Sequence, residues 1–509
     1  MRSRKALVNI FASSVAEIVS VICGFILPKL ILSSFGSSYN GITSSITQFL
    51  GYISLMRAGI GGVTKAALYK ALASKNNEEI SAIINATDRF LKKVALLFGG
   101  SMIVIAAVYP LFVQQEFDWF FSFTLVLIIG FSTFVQYFFA LTYQFLLQAD
   151  QRQSVISYIQ IVSTILNTLV AASLIKLGAG IHMVKLGSAL VFTANRLFLN
   201  AYVKRYYKID KTVPPNTEAI KDRWDCFGLQ VANFVNTNTD LVVLTVFTNL
   251  LEVSVYSVYN MVVHGLRSAL MMLGKNVGTA FGSMFAKNEI DLVRRNLLLY
   301  EQIIFLLANL VFSVTFVLLP DFVAVYTNNV TDVNYIRPLF SDILVVATLF
   351  NIYRIPYQTM AEVVGHFKQT RNGAFFEAFL NIAISVLMVK RFGLVGVAIG
   401  TLCAAVFRTF QYEIYMATKL IHRSHWPMIK RLILSAATFG VVVLAAGFLP
   451  FDQPENYLQL LLRAILVGLI AAITCLMVEI LFYRSDLKLL AKKVKNALKH
   501  KGKKSPKRT

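Results

Sequence analysis

The chain has 509 residues, of which 56% are hydrophobic and 15% are charged, and its mean hydropathy is +0.63. Its apolar residues occur in runs of about 20 or more, the length that crosses a bilayer, so the composition excludes a soluble globular protein and predicts an all-α polytopic membrane protein. The net charge of +23 would indicate a nucleic-acid partner in a soluble chain. Here membrane topology accounts for most of it, and we expect no nucleic-acid partner.

The apolar runs predict about fourteen transmembrane helices. A basic N-terminus, Met1–Lys5, precedes an apolar run that lacks a small-residue cleavage site, so we expect this run to be a first span and not a signal peptide. The first half holds six predicted spans, at 6–32, 40–66, 88–113, 119–147, 154–177 and 181–203. The second half holds six more, at 226–249, 253–275, 299–322, 333–361, 371–391 and 394–418, and two extra spans follow at 429–450 and 457–482.

The spans divide the chain into five predicted segments. These are an N-terminal six-helix bundle at 1–205, a cytoplasmic linker at 206–225, a C-terminal six-helix bundle at 226–420, helices 13 and 14 at 421–483, and a basic cytoplasmic tail at 484–509. The linker contains Pro214 and Pro215, which cannot continue a helix. All four cysteines fall in or beside apolar spans without CxxC or metal-ligand spacing, which predicts small core residues and no metal site.

The two six-helix bundles are predicted to be copies of one unit. Residues of the same type recur at a nearly constant separation: Arg57 and Arg267 are 210 residues apart, Arg196 and Arg408 are 212 apart, and Asn167 and Asn381 are 214 apart. An even number of spans per copy gives both copies the same orientation in the membrane. We therefore expect parallel repeats with a cavity at their interface and alternating access by rocking.

Charge predicts the orientation of the chain. Lys and Arg concentrate in the N-terminus, in alternate loops and in the tail, where residues 484–509 hold 11 of them, while the opposite loops carry mainly acids. This pattern places both termini in the cytoplasm and the tail against anionic lipid headgroups, with RNA binding as an alternative for the tail. In residues 77–93, apolar side chains alternate with charges, which predicts either a helix that lies in the membrane interface or a plain connector.

Arginines within the spans are the first candidates for a binding site. Arg57 and Arg267 lie at membrane depth, where a charge costs about 2.5–3.5 kcal/mol and therefore faces a wet cavity or a partner. Guanidinium groups grip phosphate oxygens bidentately, so this pair predicts an anionic headgroup as substrate. The alternative is that each arginine extends to the interface or pairs with a nearby acid. Arg196 and Arg408, closer to the cytoplasmic ends of their spans, have the same two interpretations.

Other polar and flexible positions within the spans complete the candidate site. Arg354 precedes Pro356, whose kink would free backbone carbonyls, and is a further cavity candidate. Candidate sites for a coupling H⁺ or Na⁺ are Glu17, Asp240 and Glu377, each of which could instead serve as a counter-charge, as could Glu362 and Glu413. Candidate hinge residues are Gly59, Gly61, Gly62 and Pro356, with close helix packing as the alternative for the glycines.

The layout of six, six and two spans, with a Gly-rich second span ending in RAGIGGVTKAALYKALASKN, resembles the polysaccharide transport branch of the multidrug/oligosaccharidyl-lipid/polysaccharide exporter (MOP) superfamily. That branch contains Wzx-type flippases and is related to the lipid II flippase. The resemblance implies a bacterial inner-membrane protein that moves an undecaprenyl-diphosphate-linked glycan between leaflets. It also implies that arginines of the first, second and eighth spans face the diphosphate. Arg57 and Arg267 match two of these, whereas the first span offers only Glu17 and Lys29.

The lack of a central arginine in the first span favours a capsule or wall-polysaccharide precursor over lipid II, which remains an alternative. A drug or cation antiporter of the MATE type is a further alternative, although its cavity should be acidic. An enzyme would need a large outer loop or a sugar-nucleotide domain, and no phosphate-binding loop for an ATP motor is present, so we expect neither enzymatic activity nor a cofactor. Expected partners are membrane lipids and a polysaccharide polymerase or glycosyltransferases, and a monomer is compatible with the internal repeat.

Overall fold

The computed structural model describes residues 2–54, 60–220, 238–287, 289–449 and 453–484, and all regular secondary structure within them is helical. Nine of the described helical segments are long and apolar enough to cross a membrane, which confirms the all-α membrane fold, while the number fourteen stays a prediction. The helices are α1 (Arg2–Phe35), α2 (Ser37–Ser54), α3 (Ile60–Ser74), α4 (Asn77–Val108), α5 (Pro110–Val113), α6 (Trp119–Phe139), α7 (Leu141–Ala149), α8 (Gln153–Lys176), α9 (Ile181–Tyr206), α10 (Asn238–Phe247), α11 (Leu250–Ala286), α12 (Ile290–Tyr326), α13 (Pro338–Tyr353), α14 (Ile355–Val363), α15 (Phe367–Tyr415), α16 (Trp426–Gly447) and α17 (Tyr457–Phe482).

Breaks within predicted spans recur in both copies of the repeat. The span at 119–147 is broken at Ala140, between α6 and α7, and the span at 333–361 is broken at Arg354, between α13 and α14. These two positions are 214 residues apart. In the second copy Pro356 lies in the first turn of α14, where its missing N–H costs nothing. The chain between predicted spans 11 and 12 turns at Gly393, whose φ of +54° suits a residue without a Cβ.

The amphipathic segment at 77–93 does not form a separate helix in the membrane interface. It is the beginning of α4, which continues into the third predicted span, and Asn76 caps it by accepting hydrogen bonds from the backbone N–H groups of Glu78 and Glu79 at 3.1 Å. Its apolar face, with Ile80 and Ile83, is buried against α3 and α7. The apolar stripe therefore packs inside the protein, because two neighbouring helices cover it.

Contacts divide the chain into two compact units. The first contains Met1–Met261, Asn329–Asn334 and Ala378–Val397, and the second contains Val262–Asn328, Tyr335–Glu377 and Ala398–Thr509. These limits differ from the segment boundaries predicted from the repeat, because contacts such as the hydrogen bond of 2.9 Å from Nδ2 of Asn40 to the Ser254 hydroxyl cross them. Those boundaries stay a prediction.

The first unit is built from long helices that pack along one another: α1 on α8, α4 on α6, and α9 on both α6 and α8. The described part of the linker lies against α4, where the Asn85 side chain donates hydrogen bonds of 2.9 Å to the carbonyls of Asp210 and Val213. In the second unit α12 packs against α13, α16 and α17. Leu318 of α12 shares a buried apolar cluster with Val442 of α16 and Val467 of α17.

Candidate functional site

A buried carboxylate lies between two arginines in the second unit. Glu377, on α15, is 2% exposed, and its Oε1 accepts a hydrogen bond from Nη1 of Arg354 at 2.6 Å. Its Oε2 lies 3.4 Å from Nε of Arg408. Arg354 and Arg408 are themselves 9% and 1% exposed. Glu377 therefore serves as a counter-charge here, which is the other role that the sequence left open for this candidate coupling-ion residue.

The guanidinium of Arg408 is enclosed by protein groups. Nη1 donates to the carbonyl of Thr370 at 3.1 Å and to Gln411, and Nη2 donates to the Tyr412 hydroxyl at 2.8 Å. The Tyr412 ring lies 4.1 Å from the guanidinium carbon, within cation–π range. With its Glu377 contact, Arg408 has partners for most of its five N–H groups and is closed to a ligand in this structure.

Arg354 and Arg267 retain open hydrogen-bonding capacity beside this ion pair. Nε of Arg354 is buried and has no hydrogen-bond partner among the described residues. Arg267, on α11, interacts electrostatically with Arg354 and Glu377, yet it has no hydrogen-bonded or ion-paired partner within the part of the chain that the structure describes. Three arginines and one glutamate leave an excess of two positive charges. Buried donors with that excess favour an anionic ligand.

A cavity of about 380 Å³ is lined by residues that neighbour Arg354 and Arg267 in the chain. It lies between α11 and α14 in the second unit, and its lining includes Met271, Ile355, Gln358, Thr359, Glu362 and Val363. Ile355 follows Arg354 in the chain, and Met271 lies one helical turn beyond Arg267.

The structure describes some, but not all, of the candidate residues in the first half of the chain. Arg57 and Gly59 lie outside the described residues. Arg196 is half-buried on α9, and Glu17 is half-buried on α1. The helix face that carries Glu17 packs on α8, with Ser13 and Ser157 joined by a hydrogen bond of 3.2 Å.

The two described glycines of the candidate hinge differ from each other. A Cβ at Gly61 would come within 2.7 Å of the Phe145 ring, so the absence of a side chain lets α3 approach α7 closely. A Cβ at Gly62 would meet nothing within 4 Å. Close packing, the alternative that the sequence left open, therefore describes Gly61. Gly62 has no such packing reason to be a glycine.

Asp240 belongs to a buried polar group in the first unit. Its Oδ2 accepts from the Tyr256 hydroxyl at 2.7 Å, and its Oδ1 accepts from Nδ2 of Asn381 at 3.4 Å. Ser385 donates to Oδ1 of Asn381 at 3.0 Å and lies 3.4 Å from the carbonyl of Val397. Carboxylate, amide, hydroxyl and carbonyl oxygens thus converge in one buried place, and these are the ligand types that hard cations prefer.

Sequence reasoning missed a second buried charge group in the second unit. Glu301 of α12, fully buried, pairs with Arg423 and lies 3.6 Å from Nε of Arg431. Nearby along the chain, Glu413 pairs with His425 at 2.8 Å. Glu301 interrupts the apolar run at 299–322, which is the same signal that singled out the other intramembrane acids, so it could have been found.

Comparison with known proteins identifies the fold. No family model matches the chain, and no curated protein matches it. Among solved structures, a lipid II flippase MurJ in an inward closed conformation superposes with a TM-score of 0.69 at 16% identity, covering 93% of this chain and 98% of that one. A multidrug resistance MATE family transporter of the MOP superfamily superposes in its inward-facing conformation with a TM-score of 0.62 at 14% identity, covering 81% of this chain and 98% of that one.

An outward-facing structure of a multidrug resistance MATE family transporter of the MOP superfamily superposes with a TM-score of 0.57 at 15% identity, covering 81% of this chain and 96% of that one. All of these similar structures are membrane transporters or flippases and not enzymes. The chain therefore has the same fold as these membrane transporters and flippases.

Proposed function

We propose that this protein is a flippase that moves an undecaprenyl-diphosphate-linked oligosaccharide, such as a capsule, O-antigen-like or wall-polysaccharide unit, from the inner to the outer leaflet of the bacterial plasma membrane by alternating access. The observation that carries the proposal is the group formed by Arg267, Arg354, Glu377 and Arg408, with its excess of two positive charges, in a chain with a flippase-like fold.

The charge of the group suits a diphosphate. Arg267 and the Nε side of Arg354 supply open donors, and guanidinium forks bind phosphate oxygens through charge-assisted hydrogen bonds. A bound diphosphate, with about two negative charges at neutral pH, would balance the excess and offset the desolvation of the arginines. Glu377 and Arg408 act as positioning residues, since they hold Arg354 in place. Arg57, the sequence counterpart of Arg267, is proposed as a further ligand from the first repeat.

The same charge weighs against a drug or cation antiporter. An organic cation that entered the group would meet three guanidinium groups and one carboxylate, and like charges in a poorly screened site repel strongly. Lipid II remains an alternative substrate, because it carries the same diphosphate. The first span, with Glu17 and Lys29 and no central arginine, favours another glycan.

We propose Asp240 as the site of the coupling ion and favour Na⁺ over H⁺, because the Tyr256 hydroxyl and the Asn381 amide adjoin its carboxylate and can supply neutral oxygen ligands. The proposal includes cytoplasmic termini, according to the positive-inside distribution of Lys and Arg. A polymerase or glycosyltransferase that makes or uses the glycan is the proposed protein partner.

Binding of defined lipids to the full chain in nanodiscs tests the function. We expect the wild type to bind undecaprenyl diphosphate more tightly than undecaprenyl monophosphate. Arg267→Ala should weaken diphosphate binding at least about tenfold, the effect of losing one hydrogen bond to a charged group, and Arg267→Lys should restore it in part. Arg295→Ala, which removes an exposed arginine from the same unit, is the matched control. Equal binding by wild type and Arg267→Ala would refute the proposed function.

A further inference from the structure

We propose that the cavity between α11 and α14 is a sugar subsite in which Gln358 and Glu362 select neutral or amino sugars over acidic ones. The inference rests on the proposed function, because the diphosphate is what brings the sugar to this place. The selectivity among sugars comes from the cavity wall, which takes no part in binding the phosphates.

The position of the cavity suits the first sugar of a lipid-linked glycan. That sugar is bonded directly to the distal phosphate, so it lies within a few bonds of any group that holds the diphosphate. The wall of the cavity begins at Ile355, next to Arg354, and at Met271, one turn beyond Arg267. Its volume of about 380 Å³ falls within the range of roughly 300–1,000 Å³ that is usual for small-molecule sites.

The polar groups of the wall match sugar hydroxyls. Nε2 of Gln358 donates to Oε1 of Glu362 at 2.7 Å, which fixes the two side chains relative to each other. One amide hydrogen and the amide oxygen of Gln358 then remain, together with the second carboxylate oxygen of Glu362. Thr359 donates its hydroxyl hydrogen to the carbonyl of Ile355 at 2.7 Å and keeps its lone pairs as acceptors.

The apolar groups of the same wall match the other face of a sugar ring. Met271 and Val363 line the cavity beside the polar pair. A pyranose has hydroxyls around its edge and C–H groups on its faces, so it needs both kinds of surface. Sites of this kind combine apolar walls with a few polar groups that fix orientation.

Glu362 provides the selectivity by charge. Its side chain is exposed to the cavity, where its carboxylate accepts hydrogen bonds from hydroxyls and attracts an ammonium group. The carboxylate of a uronic or sialic acid would face it with the same charge, and selection against a competitor is often achieved by such repulsion. Without a sugar to bind, Glu362 would be an unfavourable residue beside a diphosphate site, because its carboxylate repels the phosphates.

The test measures the affinity of the full chain in nanodiscs for three synthetic lipids: undecaprenyl diphosphate alone, the same lipid with one neutral hexose, and the same lipid with one hexuronic acid. We expect the wild type to bind the neutral-sugar lipid more tightly than the bare lipid and the acidic-sugar lipid. Gln358→Leu keeps the size of the side chain and should reduce the gain from the neutral sugar about fivefold, as loss of one ordinary hydrogen bond does. Its affinity for the bare lipid should not change, which also shows that the variant is folded.

Glu362→Gln should bind the acidic-sugar lipid as tightly as the neutral one, whereas Glu289→Gln, the same change at an exposed glutamate, should behave as wild type. If the bare lipid binds through Arg267 but both variants keep the wild-type ratios among the three lipids, the sugar subsite is refuted and the proposed function stands. If the wild type does not bind the bare diphosphate lipid, or binds it equally without Arg267, the proposed function itself fails.

Discussion

Replacing Glu377 by glutamine should destabilise the protein strongly, because it removes a carboxylate that compensates two buried arginines. Glu377 is 2% exposed and lies 2.6 Å from Nη1 of Arg354 and 3.4 Å from Nε of Arg408. Glutamine keeps the shape and can still accept a hydrogen bond, but it leaves the arginine group without a negative charge. Breaking a buried ion pair by removing one partner costs about 3–5 kcal/mol, since the other charge stays buried.

Thermal unfolding of the purified protein in detergent measures the effect. The midpoint of Glu377→Gln should fall by about 5 °C or more, and that of Glu289→Gln, the same change at an exposed glutamate, should stay at the wild-type value. Arg354→Met should cost less in the Glu377→Gln background than in the wild type, because the arginine then has no counter-charge to lose. An unchanged midpoint for Glu377→Gln would show that the ion pair does not hold these helices together.

Four further substitutions test the geometry. Gly61→Ala should lower the unfolding midpoint, because its Cβ would overlap the Phe145 ring. Gly62→Ala should raise the midpoint slightly through helix propensity, and the reverse order would contradict the close packing at Gly61. Asp332→Asn should weaken the cap on α2, where Asp332 accepts two hydrogen bonds of 2.6 Å from Ser37, by about 1–3 kcal/mol, and hydrogen exchange at the start of α2 should accelerate. Asp240→Asn should abolish any dependence of lipid flipping in proteoliposomes on Na⁺, and a dependence equal to wild type would place the coupling ion elsewhere.

The helices and turns could be predicted from the sequence because the sequence patterns that specify them are local or periodic. Apolar runs of bilayer length predicted the spans, and Pro356 marked the break that the structure places at Arg354. The turn at Gly393 falls between the predicted spans 371–391 and 394–418. Each of these features depends on a few neighbouring residues, whose backbone preferences apply in any surrounding structure.

The pairing of charges could not be predicted in the same way. Glu301 and Arg423 are 122 residues apart, and nothing in either segment shows that α12 comes close to the chain after α15. Arg408 illustrates the consequence. The sequence left it as either a cavity ligand or an arginine that reaches the interface or pairs with an acid, and in the structure Gln411 and Tyr412, on the next turn of its own helix, help to enclose it. The amphipathic start of α4 is similar, since its pattern predicts an apolar neighbour but does not distinguish lipid from protein.

The charges of this group differ in whether the first copy of the repeat retains them, and Arg408 is retained there as Arg196. At the offset of 214 residues, Arg354 and Glu377 correspond to Ala140 and Ser163, so the first copy lacks both members of the ion pair. The joint absence of Arg354 and Glu377 avoids leaving either of these two charges buried without the other. Arg267 has an arginine, Arg57, 210 residues earlier in the chain, and no acid is bonded to Arg267 among the described residues. A buried cation without a bonded counter-charge needs another source of compensation, and under the proposed function a substrate phosphate would supply it.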